Sequence, residues 1–549
     1  MSKKIRIFIA NDASHLGTGY GVYGKEILTR LSNSDEFEVA ELACYAHEKD
    51  ERIKNTQWKI YPNAPLPSNE QETKAYNSAP IHQFGQWRFN TAIAHFKPDI
   101  VFDIRDYWMY SYQEVSFYQP YFKWIVMPTV DSAPQKLEWL DTFANMDLIV
   151  PYTEWAYNVL KSQCGSSINL FDQIANAGVN PKEFAPINNK KGHQKNTFGK
   201  EVSITGAIMR NQKRKLFPDL LQSYRKYLDR LIKEGKKDLY EKSYLYLHTS
   251  YPEANGWELA DLLLENNIVD KVYFTYHCNN CKHAEPQKFA HGVGRCPNCG
   301  KISMMMPNAS HPVSTEILNS IYNLFDFYVQ YAICEGFGMP QVEAASCGIP
   351  IASVEYSAMT EIVKNLDGYA IPVKRLFREM ETTANRAYPD NDALVGILWD
   401  FFVVASEEER KNRSQKTREL CAEKYTWDNV YNVWVNAFRS VDLSTNLSWD
   451  KPNPNPISDN LQVPNNLQPA ELIDYIIINI LREPYLLNTA LIRNMKKKFS
   501  IGVTVGPKGV SVVKAPDIIK ELEMLINNKK LSEDLRLKAP TLELGWLNV

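Results

Sequence analysis

The chain has 549 residues, 23% of them charged and 44% hydrophobic, and a net charge of −2. That length allows about three to four domains, and the balanced charge argues against a protein that coats nucleic acid or anionic membrane by bulk electrostatics. No apolar run approaches the ~20 residues that span a bilayer, and the nine cysteines, four of them in a metal-type pattern, suit a reducing cytoplasm.

The opening MSKKIRIFIANDAS reads as a first strand rather than a signal peptide, because Asn11 and Asp12 follow the apolar run at once and no cleavage site is present. SHLGTGYGVYGKEILTRL then sets Gly17, Gly19 and Gly21 before a helical pattern of Tyr23, Ile27, Leu28 and Leu31. Such a loop lets backbone come close to a ligand, although its glycine spacing is not the dinucleotide fingerprint. Two buried strands, in PDIVFDIRDYW and FKWIVMPTVDSAP, end in Asp103, Arg105, Asp106 and Asp131. At the carboxyl edge of a parallel sheet these side chains are expected to point into a cleft as acceptor-side candidates, with loop capping as the alternative. Residues 188–200, polar and nearly free of apolar side chains, read as a linker between a first domain, 1–187, and a second, 201–441.

The second domain opens with the strand VSITGAIM and RNQKRKLFPDLL, placing Arg210 and Lys215 between a strand and a helix. Cys278, Cys281, Cys296 and Cys299 form two CxxC units separated by fourteen residues, which indicates a structural Zn²⁺ site in an insertion spanning 277–300; His277 and His283 read as bystanders. A strand then leads into ICEGFGMPQVEAASCGIPI, in which Glu335 and Glu343 flank a glycine-rich turn and a helix start. Backbone N–H groups and a helix dipole there favour phosphate, and the two carboxylates can accept from hydroxyls, so a nucleotide sugar satisfies the whole set.

EGFGMPQVE followed by EAASCGIPI resembles the signature of glycosyltransferase family four, the retaining GT-B enzymes. The resemblance implies an α/β fold of two Rossmann-like domains facing a central cleft, and a nucleotide-diphosphate sugar as donor. It also implies that Arg210 and Lys215 act on the donor diphosphate without catalytic Mg²⁺, leaving Lys213 and Arg214 as solvated charges. Glu335 would hold the sugar hydroxyls and Glu343 the ribose, with Gly17, Gly19, Gly336, Phe337, Gly338 and Met339 also lining the donor site. GVNPKEFAP is similar to the family's hinge, and YTWDNVYNVWVNAFRSV to its closing helix. The chain departs from the pattern at Asp131, where many members have a histidine, at Asn180, where aspartate is usual, and at Ser357 and Ala358, where glycines precede a glutamate such as Glu361. The cysteine insertion is not part of the pattern and is expected to shape the cleft rim or touch the acceptor.

The resemblance ends near residue 441. A Pro/Asn-rich linker, 442–469, leads to an α+β appendage, 470–549, with helices at 470–481 and 516–527 and a hairpin over Gly506 to Gly509. About 80 residues make a marginal core, so docking on the main body or on a second copy is expected. The leading reading is a glycosyltransferase acting on a hydroxyl acceptor of unknown class. One rival is a phage-type DNA glycosyltransferase working on a hydroxymethylated base in the host cytoplasm. The other is a sugar-nucleotide-binding protein without turnover.

Overall fold

The computed structural model describes residues 3–116, 118–308 and 310–449, together with the backbone of strands 503–506 and 509–512. Both halves of the chain use one strand order. The first sheet contains β1 (Ile5–Asp12), β2 (Phe37–Cys44), β3 (Lys59–Pro62), β4 (Ile100–Asp103), β5 (Lys123–Val126) and β6 (Leu148–Ile149), all parallel in the order β3-β2-β1-β4-β5-β6. The second contains β7 (Ser203–Ile208), β8 (Ser243–His248) and β9 (Val272–Cys278), then β10 (Ala284–Gln287), β11 (Gly294–Arg295) and β12 (Ile302–Met305), and finally β13 (Phe327–Gln330), β14 (Ile351–Val354) and β15 (Tyr369–Ile371). Its parallel core runs β9-β8-β7-β13-β14-β15, and β10 in the cysteine insertion and β12 just after it extend the sheet by pairing antiparallel with β9.

Each core is a doubly wound sheet whose order reverses beside its first strand, where a crevice opens at the carboxyl ends. Helices cover both faces, which is why Ile7, Phe8, Ile9 and Ala10 in β1, and Phe327, Tyr328 and Val329 in β13, are continuously apolar and fully buried.

The helix Trp427–Ser440, capped by Thr426 accepting from Asn429 N–H, returns to the first domain. There Trp434 Nε1 donates to Tyr23 Oη at 2.9 Å and Phe438 packs on Phe37 and Phe102.

Three features differ from the sequence reading. The stretch taken as a linker is helical over Lys190–Phe198, because Asn189 caps its start and Gly199, in left-handed backbone, ends it. Its polar side chains satisfy the second domain, with Gln194 Nε2 donating to Leu324 O at 2.9 Å. A separate hairpin, β16 (Val373–Arg378) and β17 (Asn385–Pro389), follows the second sheet and was not anticipated. Residues 442–449 lie against the first domain, where Trp449 stacks on Tyr118. In the C-terminal appendage β18 (Val503–Gly506) pairs antiparallel with β19 (Gly509–Val512), the expected hairpin; the two helices expected there lie outside the described residues.

Candidate functional site

The loops after β7 and β13 meet at the switch point of the second sheet, joined by a bridge between Lys215 and Ala332. Glu335, 4% exposed, is the hub. Its Oε1 accepts from Lys215 Nζ and from Gln330 Nε2 at 2.6 Å, and its Oε2 accepts from Arg214 Nη1 at 2.7 Å. Ser357 Oγ holds its backbone, accepting the Glu335 N–H and donating to the Glu335 carbonyl, both at 3.0 Å. Ser357 has φ of 52°, a region that glycine enters more readily, which gives a physical reason for the glycine that the resemblance leads one to expect there. Burial pushes the Glu335 carboxyl up, but Arg214 and Lys215 outweigh it and hold it at about 2. Burial and the Arg214 charge lower the Lys215 ammonium to about 8, against the pull of Glu335. The result is a fixed carboxylate carrying two cations.

The turn beyond Glu335 presses against the first domain. A Cβ on Gly336 would lie 2.3 Å from Thr129 Cγ2, and Gly338 has φ of 95°, so both positions call for glycine. Phe337 stacks on Tyr152 with centroids 5.2 Å apart. The helix Met339–Ser346 starts here with no side-chain cap; Pro340 has no N–H and the Gln341 N–H donates to Gly338 O at 3.0 Å, so of the first-turn residues Met339 offers its N–H at the crevice end. Glu343, on this helix, accepts from Tyr322 Oη at 2.6 Å, and burial raises its carboxyl to about 7. The glycine loop closes the opposite side: a Cβ on Gly19 would lie 3.8 Å from Met339 Sδ, and one on Gly17 3.8 Å from Pro312 Cβ. Gly19 and Met339 thus meet where the Gly336–Met339 turn, with Lys215 and Glu335 at its start, faces the first domain, while Gly17 neighbours Pro312 and Phe337 is packed into the core.

Arg210 is not hydrogen-bonded into this cluster. Its guanidinium, 54% exposed, donates to Glu253 Oε1 at 2.5 Å, while Arg214, dismissed from sequence as a solvated charge, binds Glu335. Lys213 is a surface charge paired with Glu381 at 3.2 Å.

The four acceptor-side candidates split into two pairs. Asp103 and Arg105 do not open onto the cleft as expected. Both are 0% exposed, with Arg105 Nε donating to Asp103 Oδ1 at 2.9 Å, Nη2 to Oδ2 at 2.5 Å and Nη1 to Phe84 O at 2.8 Å. Gln113 takes the remaining place on Asp103, so the pair is satisfied internally, the arrangement a buried charge requires. Asp106 and Asp131 do reach the domain boundary. Burial and the neighbouring Asp131 push the Asp106 carboxyl up to about 7, against hydrogen bonds from Tyr20 and Thr129 and the charge of Arg214. Asp131 accepts from Arg386 Nη1 at 2.7 Å and from the Cys334 thiol at 3.1 Å, both on the second domain.

At the far end of β9 the sulfurs of Cys278, Cys281, Cys296 and Cys299 all lie within 4.8 Å of one another, with Cys278–Cys299 and Cys281–Cys296 at 3.6 Å. Four thiolates around a tetrahedral Zn²⁺ with ~2.3 Å bonds stand ~3.8 Å apart, so the set fits that ion. Asn280 and Asn298 Nδ2 and the Cys281 N–H each point at a sulfur from 3.5 Å, as donors to thiolates do. His283 turns to Glu285 instead.

The sequence reading assigns no role to Gln330, Tyr322 or Arg386, and marks Ser357 only as a departure from the family's glycine. A glutamine inside an apolar strand was the available signal for the first; the others depend on contacts made across long chain separations.

No protein-family profile matches the chain. A segment of 203 residues is 31% identical to the GtfA subunit of the UDP-N-acetylglucosamine–peptide N-acetylglucosaminyltransferase of Streptococcus agalactiae, covering 34% of this chain and 35% of that protein. The matched segment thus spans about a third of the curated relative. Among solved structures, sucrose-phosphate synthase from Thermosynechococcus elongatus superposes with a TM-score of 0.56 at 15% identity, over 80% of this chain and 98% of that one. Anabaena HepE in complex with UDP and glucose gives 0.53 at 11% identity, over 80% and 100%. The E. coli trehalose-6-phosphate protein bound with UDP-2-fluoro glucose gives 0.52 at 12% identity, over the same shares. Taken with the two switch-point sheets facing one cleft, these likenesses show that the chain has the GT-B fold of glycosyltransferases.

Proposed function

We propose that the protein is a retaining glycosyltransferase of family-four type that moves a sugar from a nucleotide-diphosphate donor to a hydroxyl acceptor. The observation that carries this is the pairing of Glu335 with Lys215 and Arg214 at the switch point, with Glu343 eight residues on, beside an uncapped helix start. The nucleotide complexes of the similar structures and the donor named for the streptococcal relative support a UDP-sugar, and UDP-N-acetylglucosamine and UDP-glucose are the first to try.

Breaking the anomeric C–O bond leaves negative charge on the departing diphosphate, and the site accelerates that step to the extent that it stabilises this charge more than the ground state. Lys215 supplies a compact ammonium. Arg210, held only by an exposed pair with Glu253, can be recruited to the phosphates at little cost. The Met339 N–H and the dipole at the start of Met339–Ser346 complete the cradle, and together these groups would supply the charge that Mg²⁺ provides elsewhere. Glu335 faces the sugar hydroxyls and Glu343 the ribose. The acceptor hydroxyl attacks the same face that the diphosphate leaves, its proton passing to a leaving phosphate oxygen, so configuration is retained. Asp106 and Asp131 form the acceptor-side wall, and the four cysteines would hold a structural Zn²⁺ at the β9 end of the donor domain.

The test is release of nucleotide diphosphate from a panel of nucleotide sugars in the presence and absence of EDTA, with product stereochemistry read by NMR. Candidate acceptors would include serine- and threonine-rich peptides and hydroxymethylated DNA. Absence of turnover and of nucleotide binding across the panel would overturn the reading.

A further inference from the structure

We propose that the hairpin β16–β17 is a clasp that holds the two halves of the cleft together, with Arg386 as a positioning residue that fixes Asp131 in the acceptor-side wall. This goes further than the function proposed above and rests on reading the cleft as a nucleotide-sugar site.

Arg386 is 5% exposed, and its guanidinium is divided between two tasks. Nε and Nη2 donate to Glu379 Oε2 at 2.9 and 2.8 Å within the hairpin. That pairing fixes the plane and leaves Nη1 aimed across the domain boundary, where it donates to Asp131 Oδ1 at 2.7 Å and contacts Cys334 Sγ at 2.8 Å. Asp131 is thereby caged by Arg386, by the Ser132 hydroxyl at 2.9 Å and by the Cys334 thiol at 3.1 Å.

The backbone of the hairpin makes the same crossing. Asn385 N–H donates to Ala133 O of the first domain at 2.8 Å, and Ala387 N–H to Ile333 O of the second at 3.0 Å, two residues before Glu335. Tyr356, which precedes the Ser357 that holds Glu335, donates its hydroxyl to Asn385 O. One hairpin is thus tied to the acceptor-side segment 131–133, to the strand end that carries the donor carboxylate and to the loop that orients it. The closing helix Trp427–Ser440 joins the domains at a separate place, through Tyr23, Phe37 and Phe102, so the clasp and this helix are distinct connections. Separating the domains at the clasp would deprive Asp131 of its cation and leave Arg386 with Glu379 alone on the opposite wall, so closure is coupled to completing the acceptor side.

The full-length protein is tested with Asp131→Asn, Arg386→Met, Arg386→Lys and the Asp131→Asn/Arg386→Met double variant. Small-angle X-ray scattering of the unliganded proteins reads cleft opening, and calorimetric titration with UDP reads the equilibrium cost of closing. Both single substitutions are expected to increase the radius of gyration and weaken UDP binding about tenfold, the double variant to be no worse than the worse single, and Arg386→Lys to recover part of the loss. Melting curves identify any variant that fails to fold, in which case Arg386→Lys and Asp131→Asn carry the test. Folded variants with wild-type radius and UDP affinity, or losses that add independently in the double variant, would overturn the clasp. Failure of the wild-type protein to bind UDP, with the scattering change intact, would count against the nucleotide-sugar reading alone.

Discussion

Lys215 and Glu335, 120 residues apart in sequence, hold each other at the switch point of the second sheet, the ammonium on Oε1 of a carboxylate that Arg214 grips from its other oxygen. The carboxylate keeps the cation oriented and charged in a buried place where it would otherwise lose its proton more readily. Lys215→Ala is expected to lower turnover about 10²–10³-fold while changing the donor KM much less, the pattern of a group whose contact strengthens in the transition state. Steady-state kinetics of nucleotide diphosphate release measure both; an equal rise in KM with unchanged kcat would assign Lys215 to ground-state binding.

The two arginines separate by geometry. Arg210, paired outside the cluster with Glu253, is expected to lower kcat when replaced by alanine, whereas Arg214→Ala removes one of the two cations that keep Glu335 ionised. Donor hydrolysis as a function of pH distinguishes them: the acid limb should move upward in Arg214→Ala and stay in place in Arg210→Ala. Wild-type activity in Arg210→Ala would leave the diphosphate to Lys215, Arg214 and the helix start.

Stability should respond to Glu343. Burial raises its carboxyl from the ordinary 4.5 to about 7, so the folded chain holds a proton there that the unfolded chain has released. Between those values the folded state binds more protons, and stability falls as pH rises. Asp106 and Glu361, also raised to about 7, act in the same direction; Glu335 acts oppositely below 4.5, and His248, lowered by burial to about 4, acts oppositely up to 6.5 together with the lowered His15, His95 and His277. Measured against Glu343→Gln, which does not titrate there, the wild type is therefore expected to lose melting temperature between pH 5 and pH 7. Calorimetric melts across that range check it, and Glu343→Ala should in addition weaken UDP binding.

One zinc per chain is expected by elemental analysis, and Cys296→Ser should abolish it. Because β9 pairs with β10 within the insertion and with β12 just beyond it, metal loss should lower the melting temperature of the second domain rather than only loosen a surface loop. Retention of zinc in the variant would contradict the four-sulfur site.

Arg105→Ala removes the partner of a fully buried Asp103. Leaving that carboxylate uncompensated is expected to cost about 3–5 kcal/mol, with denaturant unfolding as the measurement, and no selective effect on acceptor use.

Much of the turn around Glu335 and of the cysteine cluster was legible in the sequence because the signals are local. Gly336 and Gly338 mark a turn that only small or left-handed residues can make, Pro340 marks a helix start, and the cysteine spacing is itself a coordination geometry. The acceptor half was less legible. Asp103, Arg105, Asp106 and Asp131 all follow strand ends, and nothing local distinguishes a charge that turns inward to a partner two residues away from one that meets the opposite domain. The sequence favours Arg210 over Arg214 by its spacing from Lys215, whereas it is Arg214 that binds Glu335 and Arg210 that pairs with Glu253, partners supplied from distant parts of the chain. The helix Lys190–Phe198 has almost no apolar periodicity, because it satisfies the second domain through polar side chains instead.

The most direct measurement is nucleotide diphosphate release from UDP-N-acetylglucosamine, UDP-glucose and the wider donor panel by the wild-type protein and its Lys215→Ala and Glu335→Gln variants, in EDTA. Release by the wild type from one donor, persisting in chelator and reduced at least about a hundredfold in both variants, is the predicted result. Folded wild-type protein that binds no nucleotide and releases none, or variants that turn over as fast as wild type, would contradict a donor site built around the Lys215–Glu335 pair.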